Sequence, residues 1–265
     1  MSTLFLIFPA QSACSVTTNC PSLCSLLALK YGSYVTEHPA DVGVAITAFK
    51  GENGYTVSTP HGEQQTDTPL SVIDRYLFGI ADYAPTIFAL HGAAVEWRGG
   101  AYLFLASTTG GKTTLASYLT SRGCAYLTDD CILLERETLL VQPYTAPIQL
   151  RDGGMEVLQK YSAVPDGVQI LQEGNFLRRF VYTPAHCAKQ AVPLKKIFFI
   201  QRNECENCLL PMNTNERMMS LMQAPITNYT VTGDYLRFLS RLAKADCQIL
   251  RYCDMDFVKE LIQNG

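Results

Sequence analysis

No apolar run in this sequence approaches the roughly 20 residues of a membrane-crossing helix, so no membrane partner is expected. Long basic runs are also missing. The 21 lysines and arginines stand against 24 acidic residues, for a net charge of −3, which leaves no electrostatic footprint for nucleic acid. Ten cysteines in 265 residues are too sparse for a disulfide scaffold. Internal repeats and low-complexity segments are lacking. The N-terminus has no basic n-region, and its apolar piece, Leu4 to Phe8, is shorter than a signal peptide needs. That piece reads as a first strand, and the chain is expected in the cytoplasm. What the sequence does have is apolar content: 48% of its residues, which excludes disorder as the dominant state. A chain this long can bury a sizeable core, as one large domain or two small ones.

Residues 1–82 read as a strand-rich N-terminal section. Gly43 to Ala48 alternates in part, Asn53-Gly54 is a hairpin signal, and Tyr55 to Ser58 can return as the partner strand. Thr68-Pro69 then offers an N-cap and a proline at the first helical position. Leu70, Ile73, Leu77 and Ile80 recur on one face of that helix, and the polar stretch 60–67 reads as its loop. From residue 83 to 265 strands and helices alternate. Strands are expected at Thr86–Leu90, Ala94–Trp97, Tyr102–Leu105, Cys124–Leu127, Ile197–Ile200 and Gln248–Tyr252. Tyr235, Phe238, Leu239 and Leu242 form one helical face, and Phe257 and Leu261 line a last helix.

The most informative stretch is Ala101 to Thr114. An apolar strand stops at small and hydroxyl residues, reaches Gly110-Gly111-Lys112-Thr113, and continues into a helix. Strand, glycine turn and helix form the setting in which a phosphate-cradling loop works. Backbone N–H groups of Thr108, Thr109, Gly110, Gly111, Thr113 and Thr114 can converge on phosphates, aided by the helix dipole. Lys112 would reach the β- and γ-phosphates of ATP, and the Thr113 hydroxyl would ligate Mg²⁺. Ala106 stands where the usual pattern has its first glycine, which is tolerable if that residue keeps a negative φ. The competing reading is a glycine turn before an ordinary surface helix.

Sixteen residues beyond Thr113, at the end of the next strand, come Asp129-Asp130. That strand is expected beside the phosphate-loop strand. Two adjacent carboxylates at a strand end project differently and can divide two tasks, metal binding and acceptance of a proton from an attacking hydroxyl. Leu90-His91-Gly92-Ala93-Ala94-Val95, Gly100, the phosphate loop, Arg122-Gly123-Cys124 and Leu127-Thr128-Asp129-Asp130 together resemble HPr kinase/phosphorylase and its relatives. The likeness covers Leu90 to Glu135, and the same core resembles phosphoenolpyruvate carboxykinase more distantly.

The resemblance implies an α/β P-loop kinase core, a mixed sheet with flanking helices, joined to the strand-rich N-terminal section. It implies Asp129 as the catalytic base, Asp130 as the metal aspartate, and His91 close to the phosphates, where a protonated ring could offset transition-state charge. A satisfied core histidine is the alternative for His91. Ile148 to Gly154 is similar to a family segment in which a glutamate binds metal. Gln149 takes that place here, a weaker Mg²⁺ ligand, while Arg151 is retained. Arg178 and Arg179 could clamp a phosphoryl group or a substrate carboxylate, with a solvated face as the alternative.

Chain size and the change at Gln149 resemble the short peptide-modifying branch of the family, such as the lasso peptide precursor kinases. The implied reaction moves the γ-phosphoryl group of ATP, with Mg²⁺, to a serine hydroxyl of a peptide or small protein. A small-molecule kinase acting on free serine and a non-catalytic ATP-binding module remain alternatives. HPr kinase is hexameric, so the resemblance raises self-association into a homo-oligomer. Cys205 and Cys208 have the spacing of a zinc knuckle, which His186-Cys187 could complete, although redox or structural thiols are the expectation. Cys14, Cys20 and Cys24 read as part of a loop. Met218, Met219 and Met222, at helical spacing, read as core, although a peptide groove uses methionine too.

Overall fold

A computed structural model describes the chain except for residues 9–12, 38, 40–41, 82–85, 175–176, 203–205 and 226–231. In chain order its elements are β1 (Ser2–Leu6), β2 (Ala13–Thr18), α1 (Pro21–Tyr31), a 3₁₀ turn (Gly32–Tyr34), β3 (Val35–Thr36), β4 (Val42–Gly51), β5 (Gly54–Thr59), β6 (Gly62–Thr66) and α2 (Pro69–Ala81). There follow β7 (Ile87–Leu90), β8 (Gly92–Trp97), β9 (Gly100–Leu105), α3 (Lys112–Ser121), β10 (Ala125–Thr128), β11 (Ile132–Glu135), β12 (Leu140–Gln142), β13 (Ile148–Leu150) and α4 (Asp152–Lys160). The remainder is β14 (Gln169–Glu173), β15 (Leu177–Tyr182), β16 (Val192–Arg202), β17 (Cys208–Pro211), α5 (Thr214–Met222), α6 (Gly233–Leu242), β18 (Cys247–Tyr252) and α7 (Met255–Asn264). This is a mixed α/β protein with mixed sheets and flanking helices. Among the described residues no helix is long and apolar enough to cross a membrane.

Contacts divide the chain into two units. The first comprises Met1–Ala84, Ala146–Asp152 and Asp166–Thr183, and the second Pro85–Thr145, Gly153–Pro165 and Pro184–Gly265. In the first unit, β13, β14 and β15 form their own three-stranded sheet, in the order β13-β15-β14.

In the first unit a six-stranded sheet runs β3-β1-β2-β4-β5-β6. The Asn53-Gly54 turn joins β4 to β5 antiparallel, with Gly54 at φ 104. A Cβ there would lie 2.7 Å from Asp67 Oδ1, so this turn needs glycine. The stretch 60–67, expected as a loop, holds β6 instead, because Pro60-His61 is a tight connection and Gly62–Thr66 zips onto β5. Leu70, Ile73 and Leu77 of α2 are buried as their spacing predicts; the Ile80 side chain lies outside the described residues. Cys14 is on β2, Cys20 precedes α1 and Cys24 lies within it. Cys14 and Cys24 therefore belong to regular elements rather than to a loop, and Cys20 is the N-cap of the helix that Pro21 starts at its first position.

In the second unit β9, β16 and β18 are parallel neighbours. β8 flanks β9 antiparallel, and β10 flanks β8 antiparallel. The expectation that β10 lies beside β9 is therefore corrected: β8 stands between them. The two-residue turn Arg98-Gly99, both at positive φ, folds β8 directly back onto β9 and takes that slot. Two antiparallel steps leave β10 running the same way as β9, so the loops after both strands emerge at one sheet edge. Apolar residues of β7 to β11, β16 and α6 share one buried cluster, including Phe88, Leu103, Ile197, Tyr235, Phe238 and Leu242.

Two packing expectations are corrected. On α7 the buried stripe is Met255, Val258 and Ile262, with Phe257 and Leu261 only half-buried. An N-cap bond from Asp256 N–H to Asp254 sets the phase of the helix. On α5 the capping box of Asn213 and Glu216 turns Leu221 inward. Met218 packs against the core, whereas Met219 and Met222 are 59% and 40% exposed.

Candidate active site

β9 is buried along its whole length and ends at Leu105. The chain then turns through residues 106–111 before α3 begins at Lys112. Ala106 keeps a negative φ, as its place in the motif requires, while Thr109 takes φ 67 and Gly111 φ 87. A β-branched residue in the left-handed region is a genuine outlier, held here by the closed loop, in which Gly110 N–H donates to Ser107 O at 3.1 Å. A Cβ on Gly110 would lie 2.6 Å from Ala106 Cβ and 3.0 Å from Ser107 O. The loop therefore closes only because position 110 is bare.

Gly111 is the N-cap of α3 and offers no side-chain hydrogen bond, and the first turn carries no acidic residue. The first N–H groups of the helix lack the acceptor most helices supply, an arrangement that suits an anion. Lys112 is buried, and its Nζ donates to Ala106 O at 2.9 Å and Ser107 O at 3.1 Å. Burial pushes the lysine pKa down, opposed by the charges of Asp130 and Asp129. Thr108 and Thr109 are exposed at the loop tip, while Thr113 and Thr114 are half-buried in the first helical turn.

Asp129 follows β10 directly and is only 8% exposed. Burial first, and then the charge of Asp130, push its carboxyl well above the usual carboxylate range. A hydrogen bond from the Thr113 side chain, the Lys112 charge and the Asp130 amide pull the other way. Its Oδ1 is buried and has no hydrogen-bond partner. Asp130 takes φ 69, and the Thr128 hydroxyl, donating to Cys131 O at 2.6 Å, ties the turn across the aspartate pair. His91 sits between β7 and β8. Its N–H donates to Ala224 O at 2.6 Å, and its Nδ1 lies 3.1 Å from Asp130 O. A carbonyl only accepts, so Nδ1 carries the hydrogen, and Nε2 is left for other chemistry.

The second unit thus brings the loop, Lys112, Thr113, Asp129, Asp130 and His91 together. Arg151, Arg178 and Arg179 belong to the first unit. Arg178 pairs with Asp152 at 3.0 Å across an exposed surface and lies over Phe180. As consecutive residues of β15, Arg178 and Arg179 leave opposite faces of the strand, so they do not form one clamp. Gln149 accepts from Lys30 Nζ at 3.1 Å, and the same ammonium pairs with Asp74 at 2.8 Å. Cys205 lies outside the described residues, Cys187 Sγ donates to Pro184 O, and no cluster of metal-ligating side chains occurs among the described residues.

Two elements of the site have no simple sequence signal. The Thr128–Cys131 bond has at most the threonine flanking the aspartates as a hint, and a threonine there does not say which carbonyl it meets. The hold of Ala224 on His91 links distant segments and leaves no local trace.

The residues fit a nucleotide with its metal. A buried carboxylate oxygen without a donor suits a cation or a hydroxyl proton, and the bare Gly110 and uncapped α3 suit phosphate oxygens. No family model matches the chain, and no curated protein does. Among solved structures the chain is similar to the Hpr(Ser) kinase/phosphatase from Coxiella burnetii. The identity is 14% and the TM-score 0.32, over 66% of this chain and 88% of that one. A likeness at that level bears on neither the activity nor the site residues.

Proposed function

We propose that the chain is an ATP- and Mg²⁺-dependent phosphotransferase that carries the γ-phosphoryl group to a hydroxyl. The acceptor is a serine of a peptide or small protein, with ribosomally made precursor peptides as the class the sequence resemblance indicates. The observation that carries this reading is the buried Asp129 carboxylate, joined to Thr113 of the loop helix on one side and left with a bare oxygen on the other. With Asp130 to serve the metal, a module that only bound nucleotide would not need this second carboxylate.

In this reading the loop amides and the N-terminus of α3 hold the phosphates. Lys112, fixed by two loop carbonyls, meets the charge that develops on the leaving oxygen. Thr113 and Asp130 would hold Mg²⁺, which when bound supplies charge neutralisation and favours the ionised form of Asp129. Asp129 accepts the proton of the acceptor hydroxyl. The serine oxygen then bonds the γ-phosphorus as the bond to the β,γ-bridging oxygen breaks and ADP departs. His91, oriented through Nδ1, presents Nε2 toward developing charge.

The test is incubation with γ-labelled ATP and either a serine-bearing peptide or free serine. Label on the peptide serine supports the reading. Label on free serine alone would make the protein a metabolite kinase, and nucleotide binding with label on neither would leave a non-catalytic module.

A further inference from the structure

β6 forms one edge of the six-stranded sheet, and no strand pairs with its outer side among the described residues. Natural edge strands are blunted with lysine, proline or a bulge. β6, five residues with Glu63 as its one charge, has no lysine, proline or bulge: its register with β5 is unbroken from Thr59↔Gly62 to Tyr55↔Thr66, and its residues are almost all exposed. An open row of main-chain donors and acceptors results.

Beside this edge lies a cleft of about 300 Å³ between the β5–β6 hairpin and α2. Its origin is legible in the register. Val57 is buried, its partner across the ladder is Gln64, and the next residue on that face is Gly62, where a Cβ would meet nothing within 4 Å. The space that apolar β6 side chains would fill beneath α2 is therefore open. Val57, Val72 and Tyr76 line it, and the His61 ring packs edge-on against Tyr76 at 5.2 Å. At about the lower bound of small-ligand pockets, roughly 300 Å³, it takes one large side chain more readily than a cofactor.

Charge selects the occupant. Glu63 leaves β6 on the face opposite to Gln64, where its carboxylate accepts from the Ser58 hydroxyl at 3.0 Å. Arg75, on the α2 wall, is exposed and forms no ion pair with a carboxylate of the described residues.

We propose that this cleft docks an extended acidic peptide segment that adds as a strand to β6, seats one apolar side chain over Val57 and Tyr76, and sets a carboxylate on Arg75. Main-chain hydrogen bonds supply affinity in such strand addition, and the side-chain pocket supplies register. The proposal rests on the kinase reading in one respect: the peptide so held is the phosphoryl acceptor.

The test is fluorescence anisotropy of a fluorescein-labelled peptide of three Thr-Glu-Thr-Leu repeats, which puts glutamate and leucine on one face of an added strand, with the full chain and no nucleotide. Saturable binding is expected, weakened at least tenfold by Arg75→Glu, by Gln64→Trp, which fills the cleft, and by N-methylation of alternate peptide amides. A version with lysine in place of each glutamate is expected to bind at least tenfold more weakly. Both substituted residues are exposed, and circular dichroism checks that each variant is folded. Absence of binding overturns the proposal, as does binding indifferent to N-methylation or to Arg75→Glu. Because the assay contains no ATP, a failed label-transfer experiment leaves this result standing. Label transfer to a serine peptide with nothing bound in the cleft would refute the docking site alone.

Discussion

Gly110→Ala is the sharpest perturbation available at the loop, because its effect can be worked from two contacts. The added Cβ would sit 2.6 Å from Ala106 Cβ and 3.0 Å from Ser107 O. The first is closer than real Cβ atoms approach, and the second is tight but can be relieved by small shifts. Overpacking of this kind costs about 1–3 kcal/mol, and here the strain falls on the segment that shapes the proposed phosphate cradle. Ala106 stands where the usual motif has glycine, so the two positions should be coupled. Ala106→Gly alone loosens the unfolded chain and costs roughly 0.4–1 kcal/mol. In the double variant the worst contact is gone and the Ser107 O contact remains. The pair should therefore be less destabilised than the sum of the singles by about 1 kcal/mol. Thermal unfolding reads this as a recovery of roughly 2–4 °C, and ATP affinity should recover with it. If Gly110→Ala unfolds with the wild type, or if Ala106→Gly adds its full cost on top, the loop is not closed in the way described.

Three further outcomes follow from the same geometry. The folded-state pKa of Asp129 is raised, so its contribution to stability is complete below its unfolded value of about 3.9 and is lost as pH rises through the raised value. Asp129→Asn should therefore gain on the wild type in ligand-free melting temperature as pH rises above the ordinary carboxylate range, while losing phosphoryl transfer by about a hundredfold or more; a gap that narrows with pH would contradict the burial argument. Lys112→Ala should lower turnover by about a hundredfold or more, read by label transfer, and an undiminished rate would remove the lysine from the mechanism. In the first unit, Lys30→Met leaves the Asp74 carboxylate, which Lys30 meets at 2.8 Å, with the Tyr31 hydroxyl at 2.6 Å but no cation and should cost about 3 kcal/mol in chemical denaturation, whereas Lys30→Met with Asp74→Leu should recover part of it.

What could be read ahead of the structure was local. The Asn53-Gly54 hairpin, the buried face of α2, and the run from β9 through the glycines into α3 each depend on neighbours in sequence, and the structure places them where the pattern does. Errors arose wherever a distant partner decided the outcome. β8 separates β10 from β9 because a short turn outcompetes any longer connection for the adjacent slot. β6 forms because polar residues accept an edge position that a hydropathy pattern cannot announce. Leu70 N–H at the start of α2 is met at 2.8 Å by the carboxylate of Glu173, a residue of a different sheet that nothing near Pro69 foretells. Of the candidate site, the motif residues were legible as types. The bare Asp129 oxygen, the bond between Thr113 and Asp129, and the orientation of His91 were not, since each depends on which strands emerge at a common edge.

The claim on which the mechanism depends is that residues 106–114 cradle a triphosphate. Calorimetric titration of the full chain with ATP and Mg²⁺, set beside the folded Lys112→Ala variant, measures it most directly. Saturable binding at one site, weakened at least tenfold by the substitution, is the expected result. Equal heats from the two proteins, or no binding by the wild type, would mean that this loop is an ordinary turn before a helix.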